Sequence, residues 1–387
     1  MWNDLIIYTP MYVTFFWALV LLISKRNNNR ARFFLGIFMF VAFLLYLSHA
    51  HFFKKLNSTF HIFEPIYIFA SLSVYPLYYW YIKLLSVESG YKWKNLRLLI
   101  PAAFFALTSI FLYMLMNTEE RLLYINELLL NRKISNSDPL LVEIQKINVM
   151  VSRVVFFMQV LYFLIKGQKL VKQYNRQIAN FYSNLESKTI LWVNFFLYSF
   201  VVTSVISIVF NIIGRGFFME SPILLLIPSL IFSVLLFFIG FLGYMQNHTV
   251  IDLESEEIEA EEFDNKSYNK SLLNDRLLEL FADQSIYKNP DLKITHLSEL
   301  LSTNRTYISK HINTEFSCTF SDFVNRYRIE EAKKLLSEDS SKTYSLNYIS
   351  EKSGFGSMGS FMRVFRDSQG ITPGQYRDRQ ILRKKNN

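Results

Sequence analysis

Seven apolar runs crowd the first 245 residues of this 387-residue chain, and no other feature of the sequence restricts the fold as tightly. They lie at 5–23, 33–50, 62–85, 98–116, 149–165, 191–213 and 222–245. Each is close to the ~20 residues that carry a helix across a ~30 Å hydrocarbon layer. Lipid offers the backbone no hydrogen bonds, so runs of this length fold as helices. One such run is compatible with a buried soluble core, whereas seven in succession with polar or charged flanks are not. Mean hydropathy is +0.18, and 37 Phe, 23 Tyr and 5 Trp give 17% aromatic residues. Trp2, Trp17, Trp80, Trp93 and Trp192, with many tyrosines near run ends, fit interfacial anchoring. The expectation for 1–246 is an all-α, seven-transmembrane helix bundle.

The first run is preceded by Trp2-Asn3-Asp4 and followed by Lys25-Arg26, which does not match a cleaved signal peptide. The loops after runs one, three and five carry thirteen Lys and Arg, against seven on the other side. The positive-inside rule then places the N-terminus outside and the C-terminus in the cytoplasm of a bacterial cytoplasmic (inner) membrane. Pro65, Pro76 and Pro228 fall in or beside runs, where they kink a helix unless neighbours satisfy the freed carbonyls. In the long loop from Asn117 to Lys146, Leu122–Leu130 is expected to form a short amphipathic helix.

His49, His51, His61 and Glu64 gather near the outer ends of runs two and three, but their spacing fits no strong metal motif. Interfacial, hydrated histidines are the reading, and no metal or cofactor is expected. Arg153, a costly charge just inside run five that is near enough to its end to snorkel, and Glu64 are the ligand candidates of this half. No nucleophile–base pairing, phosphate-cradling Gly-rich loop or zinc-protease motif is visible, so the chain is not expected to be an enzyme. One cysteine, Cys318, excludes an intrachain disulfide and is expected to be a small buried thiol.

Asp252 to Asp264 holds eight acidic residues and no basic one, within an expected linker at 247–270. It suits a solvated spacer repelled by anionic lipid; a DNA mimic that docks on basic helices is the sharper alternative. From 271 to 387 the composition is that of a soluble all-α domain, with 18 Lys and Arg against 14 Asp and Glu. The whole chain has a formal net charge of +9, which fits an anionic partner, either nucleic acid or lipid headgroups.

Two helix-turn-helix units are expected in this domain. The first uses Ile294–Leu301 and then Asn304–Phe316, where Ile308 and Ile312 mark the buried face. Thr306, Ser309, Lys310 and Asn313 then point outward with Arg305 on the flank, groups suited to base edges and phosphates. Phe320–Ser337 is the connecting helix, with Arg326, Arg328, Lys333 and Lys334 mixed into its apolar pattern. The second unit runs from Leu346 to Ser353 and from Ser357 to Ser368, with Gly354 between. Met358, Phe361, Val364 and Phe365 share its core face, while Gly359, Met362, Arg363 and Arg366 point out.

Gly354, Phe355, Ser357, Phe361, Arg363, Phe365, Arg366, Gly370, Thr372, Pro373, Tyr376 and Arg377 together resemble the signature of the AraC/XylS transcription regulators. The resemblance covers about Leu272 to Arg383, under a third of the chain. It implies two recognition helices in successive major-groove faces of one asymmetric site, with Thr306, Ser309, Lys310 and Arg363 at base-reading positions. Ser357, Met362 and Arg366 complete the expected DNA-contact set with Arg305 and Asn313. Three departures stand out: Ser298 and Ser350 where the family commonly has Ala, and Ser317-Cys318 where it commonly has a glycine.

The expected function is a membrane-tethered one-component transcription regulator. It senses an unknown small-molecule or envelope signal through the membrane bundle and binds promoter DNA through the two units. Double-stranded DNA and membrane lipid are the expected partners, and a homodimer is compatible with this plan. Two alternatives are a transporter-like membrane protein with a regulatory DNA-binding domain and an anchored regulator released by proteolysis.

Overall fold

The computed structural model describes residues 2–24, 30–54, 59–87, 91–125, 138–213, 224, 226–246, 270–338 and 343–386. The acidic run 252–264, all but the last residue of the expected linker, the Lys25-Arg26 pair and the second half of Leu122–Leu130 lie outside those residues. The described residues are helical, with no strand among them beyond one isolated bridge. Two compact units emerge. One joins Met1–Lys172 with Ile190–Val250, and the other joins Gln173–Thr189 with Ile251–Asn387.

The first unit contains α1 (Trp2–Ile23), α2 (Arg30–Phe53), α3 (Phe60–Ser86), α4 (Ile100–Leu115) and the short α5 (Thr118–Leu123). It continues with most of α6 (Leu140–Phe181), then α7 (Trp192–Ile213) and α8 (Leu226–Met245). Among the described residues, five helical stretches are long and apolar enough to cross a membrane: Ile6–Ile23, Arg30–Phe53, Trp93–Leu115, Leu140–Phe181 and Leu226–Met245. The other two expected runs, the third and the sixth, also form helices, α3 and α7. In α3 five tyrosines between Tyr67 and Tyr81, with Glu64 and Lys83, make the helix less apolar. It carries a buried face along almost its whole length, including Ile68, Leu72, Tyr78, Tyr81 and Leu85. Helix α7 has 22 residues and coincides with the sixth run.

The fifth run is corrected in length. Its helix begins nine residues before the apolar stretch and continues to Phe181, 42 residues in all. No proline interrupts Ile165 to Phe181, so the backbone keeps its 3.6-residue repeat after the apolar residues end. The segment between the fourth and fifth runs yields α5 at Thr118–Leu123, which overlaps the start of the expected Leu122–Leu130 helix, whose second half lies outside the described residues. Asn117 caps it by a reciprocal box: its side chain accepts from the Glu120 N–H at 2.8 Å, and the Glu120 carboxylate accepts from the Asn117 N–H at 2.9 Å.

Close packing in this unit depends on small residues. Helix α1 packs on α2 and on α8, and α3 packs on α2 and α4. A Cβ added to Gly240 of α8 would lie 2.3 Å from the Trp17 ring, and one on Gly243 would lie 2.2 Å from the Leu35 side chain. Glycine lets these helices approach until side chain meets backbone. Trp17, only 5% exposed, also meets the Phe237 ring edge to face at 5.6 Å. The outward faces are apolar as well. Phe104, Leu107, Phe111 and Met114 of α4, Met150 and Met158 of α6, and Ile227 and Val234 of α8 are all exposed.

In the second unit α9 (Lys270–Ala282) and a 3₁₀ turn at Ile286–Lys288 lead into α10 (Ile294–Leu300) and α11 (Arg305–Glu315). Helix α12 (Phe320–Glu338) connects these to α13 (Leu346–Lys352), α14 (Met358–Gln369) and α15 (Pro373–Asn386). Ile329, Ala332 and Leu336 of α12 form one core with Ile349, Phe355, Phe361 and Phe365. Phe281, Phe316 and Phe323 meet in a second ring cluster on the other stretch of α12.

Gly240→Leu forces the buried Trp17 ring out of place. Overpacking of this kind costs about 1–3 kcal/mol. The melting temperature of the purified chain in detergent should fall clearly. An unchanged value would show that α1 and α8 are not in the contact described.

Candidate nucleic-acid interface

Each of the two helix pairs is set by local chemistry. Asn304 caps α11 by accepting the Thr306 N–H at 2.7 Å, and Ser357 caps α14 by accepting the Ser360 N–H at 3.1 Å. Ser345 caps α13 in the same way through the Tyr348 N–H. Gly354 takes φ +88°, and a Cβ there would stand 2.5 Å from the Tyr287 carbonyl oxygen. Both the left-handed backbone and the crowding against the 3₁₀ turn require glycine. After α14, Gly370 at φ +72° closes the helix. Thr372 and Gln375 then open α15 with a reciprocal box at 3.0 and 3.3 Å, and Pro373 follows as the first helical residue. Phe365 meets Phe361 and Tyr376 edge to face at 5.7 and 5.5 Å.

The departures from the family pattern acquire physical meanings. Ser298 is buried and donates its hydroxyl to the Thr303 carbonyl, tying the turn before α11 to α10. Ser350 is buried, and its carbonyl accepts the Phe355 N–H at 3.0 Å across the Gly354 turn. Ser317 sits at φ +51°, the region a glycine adopts without strain. Cys318 is half-buried rather than buried, and desolvation pushes its thiol up.

The sequence-predicted DNA contacts divide by exposure. Thr306 and Lys310 on α11, and Arg363 and Arg366 on α14, are exposed. Arg305, Ser309, Asn313, Ser357 and Met362 are half-buried. The Asn313 amide donates to the Ser309 carbonyl at 2.8 Å, one turn back along α11.

Two features of this unit escaped the sequence reading. Arg328, expected among mixed charges of the connecting helix, is 1% exposed. It donates to the Tyr287 carbonyl at 2.8 Å, the Asn289 carbonyl at 2.7 Å and the Ser183 hydroxyl at 3.1 Å. Desolvation lowers its pKa to about 10, with the Asp291 charge acting the other way. The second feature is the segment Gln173–Thr189 itself, the end of α6 and the loop after it. Tyr182 pairs with Lys293 in an antiparallel bridge, and Ser183 donates its N–H to Leu292 at 3.1 Å. The Ser183 carbonyl accepts the buried Ser321 hydroxyl at 2.9 Å. A clue was present in the sequence: Ile178-Ala179-Asn180-Phe181-Tyr182 is an apolar patch within an otherwise basic, polar loop.

In the first unit the ligand candidates separate. Arg153 is exposed on α6. Glu64 is 5% exposed and accepts from the Tyr113 hydroxyl at 2.6 Å, the Tyr124 hydroxyl at 3.0 Å and the Gln145 amide at 2.9 Å. This is the donor set a buried carboxylate requires. His49 stacks on Tyr67, His51 on Phe63, and His61 meets the edge of Tyr113. A cavity of about 220 Å³ opens elsewhere in this unit, between Pro10, Tyr46, His49, Tyr75, Ser204 and Phe232 among others. Neither Arg153 nor Glu64 lines it.

With this geometry in place, residues 297–379 match the family described as a helix-turn-helix domain, which takes in α10 through α15 in part. The chain therefore carries a C-terminal helix-turn-helix domain. An uncharacterized HTH-type transcriptional regulator of Staphylococcus aureus (strain MSSA476) is 33% identical over 113 residues, covering 28% of this chain and 14% of that protein. YtdP of Bacillus subtilis (strain 168), another uncharacterized HTH-type transcriptional regulator, is 32% identical over 87 residues, 22% of this chain and 11% of its own length. The chain thus spans only a small part of the relatives it matches. A solved structure titled as a protein of unknown function from Listeria innocua is 27% identical, covering 27% of this chain and 93% of that one, with a TM-score of 0.24.

Ser317→Gly should relieve the left-handed strain at the α11–α12 junction. Such relief is of the order of 1 kcal/mol, reduced by the extra freedom glycine gains in the unfolded chain. Chemical denaturation of the second unit, followed by its tyrosine signal, should show a small rise in midpoint. A fall would mean that the Ser317 side chain holds the junction.

Proposed function

We propose that the chain is a membrane-tethered, one-component transcription regulator with an AraC/XylS-like DNA-binding domain. The observation that carries the DNA-binding part is the pairing of two capped helices, α11 and α14, on one connecting helix within a matched helix-turn-helix domain. Each exposes basic or hydroxyl side chains opposite its buried face. Thr306, Ser309, Lys310 and Arg363 read bases in this proposal, and Arg366 and Arg305 hold phosphate.

Tethering is supported by the five long apolar helices and by the outward apolar faces of the first unit, which water does not tolerate over such an extent. The loop charge bias supports a cytoplasmic side for the C-terminal unit, where DNA is. The cavity near Tyr46 and Tyr75 is suited to an apolar signal molecule. Two of its hydroxyls are engaged: Tyr75 donates to the Phe200 carbonyl at 3.0 Å, and Ser71 to the Ile68 carbonyl at 3.0 Å.

A reporter active only in the cytoplasm, fused after Lys270, should be active, and the same reporter fused near Asn136 should be silent. The reverse pattern would sink the tethering.

Arg363 is the long, hydrogen-bonding side chain in the middle of the exposed face of α14, where Gly359 and Met362 cannot replace it. Arg363→Ala should cost on the order of 1–3 kcal/mol and relax preference at one base step. Lys334→Ala, on α12, should leave sequence preference intact. Binding-site selection on both variants decides the matter: uniform weakening of all sequences by Arg363→Ala would make Arg363 a phosphate clamp.

A further inference from the structure

Three of the residues expected at DNA are already in contact with the chain's own segment from the end of α6. The Arg305 guanidinium lies over the Phe181 ring, 5.7 Å from its centroid. The Asn313 amide faces the Asn180 side-chain oxygen at 3.4 Å. The Ser357 hydroxyl donates to the Glu186 carboxylate. Between these contacts Asn184 presses against the turn before α14, where a Cβ on Gly356 would be 2.5 Å from its amide nitrogen. The segment therefore reaches both recognition helices at once, touching α11 at Arg305 and Asn313 and α14 at its N-cap.

The chemistry of the Glu186 contact points in one direction. The start of α14 presents unpaired backbone N–H groups and the positive end of a helix dipole, which is where a helix accepts a phosphate. Recognition helices enter the groove by their N-terminal residues, which puts DNA phosphates near this end. Glu186 sets a carboxylate there instead. A DNA phosphate and this carboxylate are anions competing for one hydroxyl.

We propose that residues 180–186 form an intramolecular cover over the DNA-reading face, with Glu186 standing in for a phosphate at the N-terminus of α14. The start of α14 takes either the Glu186 carboxylate or a duplex phosphate, while Ser183 stays anchored to Leu292, Ser321 and Arg328. This rests on the DNA-binding function proposed above. The cover is the direct continuation of α6, so whatever repositions the end of that helix sets the fraction of domains open to DNA.

The full chain in lipid nanodiscs tests this. Asn184→Cys with Gly356→Cys, on a Cys318→Ser background, places two thiols where the side chain and the built Cβ already approach. Gly356 has no positive φ and accepts a side chain there. Oxidation locks the cover in place and reduction releases it, so one preparation serves as its own control. Binding is read with a labelled mixed-sequence duplex at low salt. The oxidised form should bind at least about fivefold more weakly than the reduced form, the lower end of typical coupling between sites. Equal binding by both forms would overturn the cover and leave DNA binding standing. Failure of both forms to bind would overturn the DNA-binding function and the cover with it. A second variant avoids the lock altogether. Glu186 is exposed, so Glu186→Ala does not threaten the fold, and it should tighten binding of the same duplex while Glu186→Asp leaves it near the starting value. Unchanged or weaker binding by Glu186→Ala would overturn the role of its carboxylate.

Discussion

One buried guanidinium holds the second unit together. Arg328 reaches three acceptors from two separate stretches of chain: the carbonyls of Tyr287 and Asn289 before α10, and the hydroxyl of Ser183 after α6. Burying a charge is costly unless its donors are met, and each of these acceptors is a polar group that also needs a partner. The arrangement is therefore mutual. The turn at Tyr287 is fixed by Arg328, and the same carbonyl crowds Gly354, so the entry to α14 depends on it as well.

The first unit solves its polar problem in the same way with a different donor set. Glu64 is buried among aromatic rings and satisfied by Tyr113, Tyr124 and Gln145, while Gln145 donates also to the Ser109 hydroxyl at 2.7 Å. These residues come from α3, α4, α6 and the end of α5, so the network fixes where the helices cross. The surrounding core of Phe52, Phe60, Tyr113 and Tyr124 keeps water out. An acidic residue in an apolar run signals a partner, and Tyr113, Tyr124 and Gln145 supply the hydrogen bonds to Glu64.

Much of the second unit was legible because its signals are local. Gly354, the Ser357 cap, the Phe361–Phe365 spacing and the Thr372-Pro373 start each act within a few residues, and the helix bounds fall within a residue or two of expectation. Arg328 was not legible, since a charge in an apolar pattern looks the same whether it snorkels or is buried. Ser357 caps α14 through the Ser360 N–H, a role its position before the helix makes legible. In the first unit, hydropathy located helices but not their ends. Apolarity stops where a lipid layer would stop, whereas a helix stops where a cap or proline stops the backbone, and α6 has neither before Phe181. The contacts of Ser183 with Leu292, Ser321 and Arg328 join residues more than a hundred positions apart, and no periodicity encodes such pairings.

The segment after α6 is held unequally along its length, and this asymmetry is what a reversible cover needs. Ser183 is 2% exposed and joined to Leu292, Ser321 and Arg328, so breaking it leaves buried groups unpaired, at a cost of about 1–3 kcal/mol for each. Glu186, three residues on, is exposed and meets an exposed helix start, where a contact is worth about 1 kcal/mol or less. A duplex can displace such a contact without undoing the anchor. The displaced carboxylate then remains within a few residues of its site, at a high effective concentration that favours closure once the DNA leaves. The strong contact keeps the segment in place, and the weak one decides whether the helices are free to read.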